Sequence, residues 1–209
     1  MKTWDVMITS IPHRHATLLR LLECLDAQAE PGFGAILYRD DLEASYGYKT
    51  QMLTEASGAD YVSSVDDDDL LAPDAVRRIM SAIQAGPDYI GFRVRWNRDG
   101  VRERKVIHSL HCGEWRETPE CLYRDITQFN PIRRELSLLH TWEGGYEAER
   151  RWGNTLRASG QVKTEVLIDD EVYYYEERTN DTFTSGRTAL GTMEPLPSYP
   201  WLRQIGPYS

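Results

Sequence analysis

The sequence predicts an α/β protein built on a mostly parallel, doubly wound sheet with helices on both faces. Three observations lead to this prediction. Short apolar runs alternate with amphipathic stretches in the first half of the 209-residue chain, as expected for strands joined by crossover helices. Polar or acidic residues follow each of the first three apolar runs. Hydrophobic residues make up 41% of the chain, which is enough for a core on both faces of such a sheet.

The strands of the first half are predicted from apolar runs bounded by turn signals. They cover residues 4–9, 34–38 and 61–65. In parallel sheets the carboxyl ends of the strands share one edge, and ligands bind there. We therefore expect the polar residues that follow the three strands to converge: Thr9 and Ser10, Asp40 and Asp41, and Asp66, Asp67, Asp68 and Asp69.

The helices of the first half are predicted from apolar residues at helical spacing. They cover residues 15–29, 49–57 and 73–85. Gly58 closes the second helix, as glycine often does at a helix carboxyl end. Pro73 opens the third, because proline is accommodated in a first turn.

The second half predicts a smaller antiparallel region. Residues 88–96 and 101–107 are expected to form a hairpin around Asp99-Gly100, a strong turn signal. A helix over 147–158 and a strand over 164–175 follow. We predict one domain over residues 1–178, with halves at 1–92 and 93–178, and an extended proline-rich tail over 179–209 that is either loose or wraps the surface.

Composition excludes several classes of protein. Cys24, Cys112 and Cys121 are scattered and show no CxxC spacing, which argues against a disulfide scaffold and against structural zinc. The sequence has neither an apolar run of membrane-span length nor a signal-peptide pattern at its start. A cytoplasmic setting is the expectation, and it would be the host cytoplasm if the gene belongs to a phage.

The net charge of −9 argues against nucleic acid as a partner, but one segment is basic. Residues 93–105 hold six basic and two acidic side chains, a local charge of +4. This basic strip is either a solvated hairpin of mixed charge or a surface that faces phosphates. In the second case Arg93 and Arg95 would lie on the acceptor side of a site.

Four adjacent carboxylates, residues 66–69, follow the third predicted strand. Acidic residues are favoured near a helix amino end, but that explains Asp69 at most. Mg²⁺ and Mn²⁺ prefer oxygen ligands, and Mg²⁺ is often held by one or two carboxylates and substrate phosphates. In an extended segment Asp66 and Asp68 point to the same side. We therefore predict a metal–phosphate site.

Four segments resemble the GT-A glycosyltransferases, within them the family-2-like enzymes. The resemblance covers most of residues 4–175 in order, and it includes a DXD-type motif in the aspartate run and an acidic-x-x-Trp motif at a helix start. The matching segments are ITSIPHRHATLLRLLECLDAQ, YGYKTQMLTEASGADYVSSVDDDDLLAPDAV, FNPIRREL and YEAERRWGNTLRASGQVKTEVLIDDEVYYY.

The resemblance implies a role for each matching residue. Asp68 would be the chief ligand of Mn²⁺ or Mg²⁺, with Asp66 on the metal-bound water or the ribose, and Asp69 on the sugar. Glu149 would be the catalytic base. The other implied contacts are to the nucleotide by Ile11, Pro12, Arg14 and Lys49, to the base or ribose by Asp40, to the sugar site by Trp152, and to the acceptor by Arg133 and Arg134.

The sequence departs from the family pattern at two places. The family often has Glu-Asp-x-x-Trp, whereas this chain has Ala148-Glu149, so Glu147 is an alternative base. The early motif is Asp40-Asp41-Leu42 without the usual Gly-Ser. A histidine could complete the metal shell, and the sequence leaves three candidates: His108, His111 and His140.

The predicted activity is transfer of a sugar from a nucleotide-sugar, a UDP-sugar by resemblance, to a hydroxyl group. One base and no second nucleophile predict inversion at the anomeric carbon. The acceptor is either a glycan or lipid-linked saccharide, or a hydroxymethylated pyrimidine in phage DNA. The alternatives are a non-catalytic sugar- or cation-binding module and a nucleotidyltransferase, although SIPHRH lacks the glycine-rich phosphate loop usual in the latter.

Overall fold

A mixed sheet forms the centre of the computed structural model, which describes residues 1–145, 147–179 and 192–208. Four strands run parallel in the order β11-β2-β1-β3, and the sheet continues through β9-β5-β6-β8-β7. The strands are β1 (Trp4–Ser10), β2 (Phe33–Arg39), β3 (Tyr61–Ser64), β4 (Leu70–Leu71), β5 (Tyr89–Arg98), β6 (Val101–His108), β7 (Arg116–Glu117), β8 (Cys121–Arg124), β9 (Ile132–Arg133), β10 (Glu165–Glu177) and β11 (Leu202–Ile205).

Helices cover both faces of the sheet. Side chains alternate along β1, so Val6 and Ile8 pack against α1 and α3 while Met7 packs on the other face against α2 and α5. The sheet is therefore buried on both sides, as parallel sheets generally are. The helices are α1 (His15–Asp26), α2 (Tyr46–Ala56), α3 (Ala75–Gln84), α4 (Arg134–Ser137) and α5 (Ala148–Ser159).

The second half is built around two long pairings of β5. Its hairpin with β6 turns at Asp99 and Gly100, both with positive φ, as the sequence predicts. Along its other side β5 runs parallel to β10, and the register shifts between Ile168 and Glu171. Residues 169–170 thus form a bulge within one continuous strand.

The end of the chain joins the sheet. Strand β11 pairs in parallel with β2, and Trp201 packs against Phe33 and donates from Nε1 to Asp26 Oδ1 at 2.8 Å. Residues 192–208 are therefore held against the sheet rather than loose, and residues 180–191 of the predicted tail lie outside the described residues. No helix in the described ranges is both long and apolar enough to cross a membrane.

Candidate active site

The carboxyl ends of β1, β2 and β3 lie at one edge of the sheet because the three strands are parallel and adjacent. Ser10, Asp40 and the aspartate run follow directly from these ends. The predicted convergence of polar residues on one edge is therefore present in the structure. Ligands of parallel sheets bind at such an edge, so this is the candidate site.

The aspartate run folds into a tight turn that separates its four side chains. The backbone N–H of Asp69 donates to the carbonyl of Asp66 at 3.1 Å. Asp67 and Asp69 are 2% and 1% exposed, whereas Asp66 and Asp68 are half-buried. The two carboxylates predicted on the metal side are thus the two that water reaches.

Asp69 is held from β10. Tyr173 donates its hydroxyl proton to Asp69 Oδ2 at 2.6 Å, and the N–H of Glu176 donates to Oδ1 at 2.9 Å. The same Tyr173 oxygen accepts from the backbone N–H of Asp66 at 3.2 Å. Both oxygens of Asp69 are engaged within the chain, so in this arrangement it fixes the turn, and contact with a sugar stays a prediction.

Asp67 is held from the loop after β1. Arg14 Nη1 lies 2.8 Å from Asp67 Oδ1 and 3.3 Å from Asp68 Oδ2. Burial alone would lower the pKa of Arg14, but the charges of Asp67 and Asp68 outweigh it and raise that pKa. Burial raises the pKa of Asp67 to about 6, against the opposing charge of Arg14. The pair ties the predicted nucleotide-binding loop to the aspartate turn.

The turn has the donor chemistry of a divalent-cation site. Burial, and then the charges of Asp68, Asp67 and Glu149, raise the pKa of Asp66 to about 8, so negative charge is in excess here. Asp67 Oδ2 is buried and accepts no hydrogen bond from the described residues. Within those residues no three His, Cys, Asp or Glu side chains form a ready-made metal cluster. The chemistry of Asp66 and Asp68 therefore fits a divalent cation, and a metal at this position stays a prediction.

The structure distinguishes the three candidate histidines. His108 is buried and bonds to Asn130 Oδ1 at 2.8 Å, and burial lowers its pKa to about 4. The ring of Phe129 packs against both His108 and Tyr173, the tyrosine that binds Asp69. It therefore lies between His108 and that tyrosine. His111 is exposed, 3.7 Å from Glu165. His140 Nε2 is buried without a hydrogen-bond partner in the described ranges. None of these contacts joins a histidine to the aspartate turn.

Glu149 opens α5 and faces the aspartate turn. Its Oε1 accepts from the backbone N–H of Gln128 at 3.3 Å. Burial raises the pKa of Glu149 to about 7, and its charge contributes to the raised pKa of Asp66. A carboxylate tuned toward neutral pH is suited to general-base chemistry.

Glu147, which precedes α5, and Trp152, which lies on it, are also predicted at this site but point elsewhere. The Glu147 side chain is 59% exposed, 3.9 Å from Arg150, so Glu149 is the better placed of the two candidate bases. Trp152 is buried in the core, where it stacks on Trp142 at 4.3 Å between ring centroids and donates to the Ser137 carbonyl. Trp152 therefore packs α5 against the core.

Asp40 and Lys49 form a buried ion pair at the end of β2. Lys49 Nζ lies 2.8 Å from Asp40 Oδ1, and Asp40 Oδ2 accepts from the N–H of Ala44 at 2.8 Å. Asp40 is fully buried and Lys49 nearly so. Ile11 and Pro12 are buried at the neighbouring end of β1. These four residues therefore line the same edge, and their contact with a nucleotide stays a prediction.

Arg133 and Arg134 lie far along β3 from the aspartates. Arg133 pairs with Tyr61 at the start of β3 and donates to the carbonyls of Gly86 and Pro87. Arg134 donates to the carbonyls of Thr54 and Glu55. Since the aspartates follow the other end of β3, the structure does not bring these arginines to the site.

The basic strip is largely neutralised by acids of β10. Arg93 pairs with Asp169 at 2.6 Å, and Arg95 pairs with Glu171 at 2.9 Å. Arg102 also contacts Glu171, and Arg98 contacts Glu177. Of the two interpretations of this segment, the structure agrees with the solvated hairpin of mixed charge.

Sequence reasoning missed two residues of the site, Tyr46 and Gln128. Tyr46 is the first residue of α2, which begins three residues earlier than predicted because Ser45 caps it, Oγ accepting from the N–H of Tyr48. Its hydroxyl lies 2.5 Å from Gln128 Oε1. The Ser45 cap was a readable signal for the start of α2. Gln128 stands in a loop with no local pattern that marks it.

No protein-family model matches the sequence, and no curated protein matches it. Solved structures of TarS from S. aureus are similar in fold. The structure of TarS 1-349 with UDP-GlcNAc aligns with a TM-score of 0.66 and 13% identity over 89% of this chain and 62% of that one. TarS 1-349 alone gives a TM-score of 0.64 and 14% identity over 83% of this chain and 60% of that one.

These alignments establish the fold. TarS has the GT-A fold, so the fold class predicted from the sequence is confirmed. The chain spans about 60% of the TarS 1-349 chain and 36% of the longer TarS chain.

Proposed function

We propose that the protein is a glycosyltransferase that moves a sugar from a UDP-sugar to a hydroxyl acceptor with inversion. The observation that carries the proposal is that Glu149, which accepts from the N–H of Gln128 at 3.3 Å, lies close enough to Asp66 for its charge to raise the pKa of that carboxyl. The TarS structures with UDP-GlcNAc and with UDP support a nucleotide-sugar as donor.

Each side chain has one task in this reaction. Glu149 takes the proton of the acceptor hydroxyl, whose oxygen forms a bond to the anomeric carbon. The bond from that carbon to the diphosphate breaks, and its electron pair leaves with UDP. Asp66 and Asp68 would hold Mn²⁺ or Mg²⁺, which when bound supplies charge neutralisation for the diphosphate. Arg14 already lies beside both Asp67 and Asp68 and would add positive charge.

The acceptor proposed is a saccharide, free or lipid-linked. The DNA alternative depended on a basic strip facing phosphates, and that strip is paired with Asp169, Glu171 and Glu177. A net charge of −9 opposes DNA binding as well. Binding of duplex DNA with a steep dependence on salt would reverse this choice.

The proposal is tested by binding and turnover in purified variants. Nucleotide-sugars are screened by thermal shift with Mn²⁺ and with EDTA, and turnover of the tightest binder is followed as UDP release. Glu149→Gln is expected to lower kcat by about 100-fold or more with donor affinity retained. Asp68→Ala is expected to abolish the effect of Mn²⁺ on donor binding.

Glu147→Gln is the matched control and is expected to keep full activity, since Glu147 points to solvent. Full activity of Glu149→Gln would remove Glu149 as the base. Binding of a UDP-sugar without UDP release, under any acceptor tried, would favour the non-catalytic module. No binding of any UDP-sugar by the wild type would overturn the proposal.

A further inference from the structure

The hydroxyl of Tyr46 contacts Gln128, whose backbone N–H bonds to Glu149, and it has no task in the reaction described above. Tyr46 begins α2 in the first half of the chain and is half-buried. Burial, and then the charges of Asp66 and Glu149, raise its pKa well above 10. A neutral phenol therefore stands within electrostatic reach of both the candidate metal ligand and the candidate base.

The proton of this hydroxyl is directed to Gln128. Tyr46 Oη lies 2.5 Å from Gln128 Oε1, an amide oxygen that only accepts. Gln128 itself is fixed at two points: its carbonyl accepts from the N–H of Ser64 at 2.7 Å, and its N–H donates to Glu149 at 3.3 Å. The hydroxyls of Thr50 and Ser64 also lie beside the Tyr46 oxygen, but Thr50 Oγ1 donates to the Tyr46 carbonyl at 3.0 Å. A hydroxyl oxygen has two lone pairs, so the Tyr46 oxygen can accept one hydrogen bond more than Ser64 could supply.

The position of Tyr46 indicates which group would donate that bond. In the reaction proposed above, the diphosphate lies at Asp66 and Asp68 and the acceptor hydroxyl lies at Glu149. The transferred sugar must occupy the space between them, and Tyr46 is influenced by charges on both sides of that space. Sugar hydroxyls are the hydrogen-bond donors that a substrate would bring to that space.

We propose that Tyr46 Oη accepts a hydrogen bond from a hydroxyl of the transferred sugar and selects donors that carry that hydroxyl. The inference rests on the proposed function. It assigns a substrate contact to a residue outside the aspartate turn and the acidic-x-x-Trp motif. The chemical class selected is a hexose with a free hydroxyl at one ring position.

The phenol ring and the hydroxyl have separable tasks. The ring packs against the core cluster shared by α2 and α5. Other contacts hold α2 to the segment before α5: Gly47 N–H donates to the Gly144 carbonyl at 3.0 Å, and Gln51 Oε1 accepts from Trp142 N–H at 3.1 Å. Tyr46→Phe keeps the ring and these contacts and removes the oxygen alone.

The experiment compares UDP with UDP-sugars in wild type, Tyr46→Phe and Tyr48→Phe. Tyr48 lies on the same helix turn and is 52% exposed, so Tyr48→Phe is the matched control. Dissociation constants for UDP, UDP-glucose, UDP-galactose and UDP-GlcNAc are measured by calorimetry with Mn²⁺. Tyr46→Phe is expected to bind UDP as wild type does and to bind the preferred UDP-sugar about 3- to 10-fold more weakly. Tyr48→Phe is expected to change neither.

Deoxy donors give a second, independent measurement. Among the singly deoxygenated forms of the preferred UDP-sugar, one is expected to bind the wild type about 3- to 10-fold more weakly and to bind Tyr46→Phe as well as the parent sugar does. If Tyr46→Phe fails to fold, the wild type alone still tests the inference, because equal binding of every deoxy donor would overturn it.

The outcomes separate this inference from the function on which it rests. Equal affinity of wild type and Tyr46→Phe for UDP-sugars overturns the sugar contact and leaves the glycosyltransferase proposal standing. Equal weakening of UDP and UDP-sugar in Tyr46→Phe also overturns it, because the hydroxyl would then act on the site as a whole. Failure of the wild type to bind any UDP-sugar is instead a failure of the proposed function.

Discussion

The four consecutive aspartates have four different environments. Asp66 and Asp68 face the cleft, Asp67 pairs with Arg14, and Asp69 accepts from Tyr173. Two buried carboxylates thus anchor the turn, one to the loop after β1 and one to β10, and the two half-buried ones, Asp66 and Asp68, are held by these anchors. In a run that looks uniform in sequence, two residues fix the turn and the other two are the proposed cation ligands.

Glu149 is expected to make stability depend on pH. Its pKa is raised from 4.5 to about 7, so the folded state favours the protonated acid, and stability is lost as pH rises from about 4.5 through about 7. Glutamine does not ionise. Glu149→Gln should therefore melt higher than wild type at pH 8 and equally at pH 4, as measured by differential scanning calorimetry without metal.

The expected difference at pH 8 is about 2–4 °C, the shift that about 1 kcal/mol gives in a chain of this size, after allowance for solvent screening in the cleft. Glu147→Gln, at an exposed position of the same helix start, should melt as wild type does at both values. A lower melting temperature of Glu149→Gln at pH 8 would mean that burial does not disfavour the carboxylate.

At the scale of elements, the start of α2 supports the segment that leads to α5. A Cβ at Gly47 would lie 2.7 Å from the Gly144 carbonyl oxygen and 3.0 Å from that of Trp142. Both are backbone atoms, which cannot move aside as a flexible side chain can. The close approach of α2 to this segment therefore requires glycine at position 47.

Gly47→Ala is expected to lower the free energy of unfolding by about 1–3 kcal/mol, the usual cost of overpacking, and to lower kcat by displacing the start of α5. Urea unfolding and UDP release measure the two effects. Gly58→Ala is the control, because a Cβ at Gly58 meets no atom within 4 Å. Equal stability of the two variants would contradict the close contact.

The elements that could be predicted from the sequence are those with a local pattern. The first three strands and helices have apolar periodicity and stop signals, and the structure contains all six. Strands β4, β7 and β9 have two residues each, too few for any periodicity. Strand β11 lies in a proline-rich stretch, and its pairing with β2 is a long-range contact that local propensity does not encode.

The same distinction applies to the residues of the candidate site. Asp66, Asp68 and Glu149 belong to short motifs and follow or open predicted elements. Gln128 reaches the site through its backbone carbonyl and N–H, which bond to Ser64 and Glu149. Any residue has these groups, so residue type does not reveal such a role.

At the scale of the whole molecule, residues near the end of the chain cover the edge of the sheet beside β2. Trp201 contacts Phe33, Tyr199 and Asp26, and its carbonyl accepts from Ala35 N–H at 2.9 Å. These contacts seat β11 beside β2. The stability of residues 1–92 is therefore expected to depend on residues outside that half.

Trp201→Ala is expected to lower the free energy of unfolding by about 1–3 kcal/mol, less than for a fully buried aromatic because the side chain is partly exposed. Urea denaturation followed by circular dichroism measures the loss. Tyr208→Ala is the matched control, since Tyr208 is 44% exposed and should leave the midpoint unchanged. An unchanged midpoint for Trp201→Ala would show that β11 adds nothing to the stability of the sheet.

The pairing of β11 with β2 also has a consequence for self-association. Until β11 docks, β2 presents a row of unpaired N–H and C=O groups along a strand of mostly apolar residues, FGAILYR. Such an edge is a template on which a strand of another chain can pair. During refolding, strands of other chains compete with β11 of the same chain for this edge. The fraction of protein lost to aggregates should therefore rise with protein concentration.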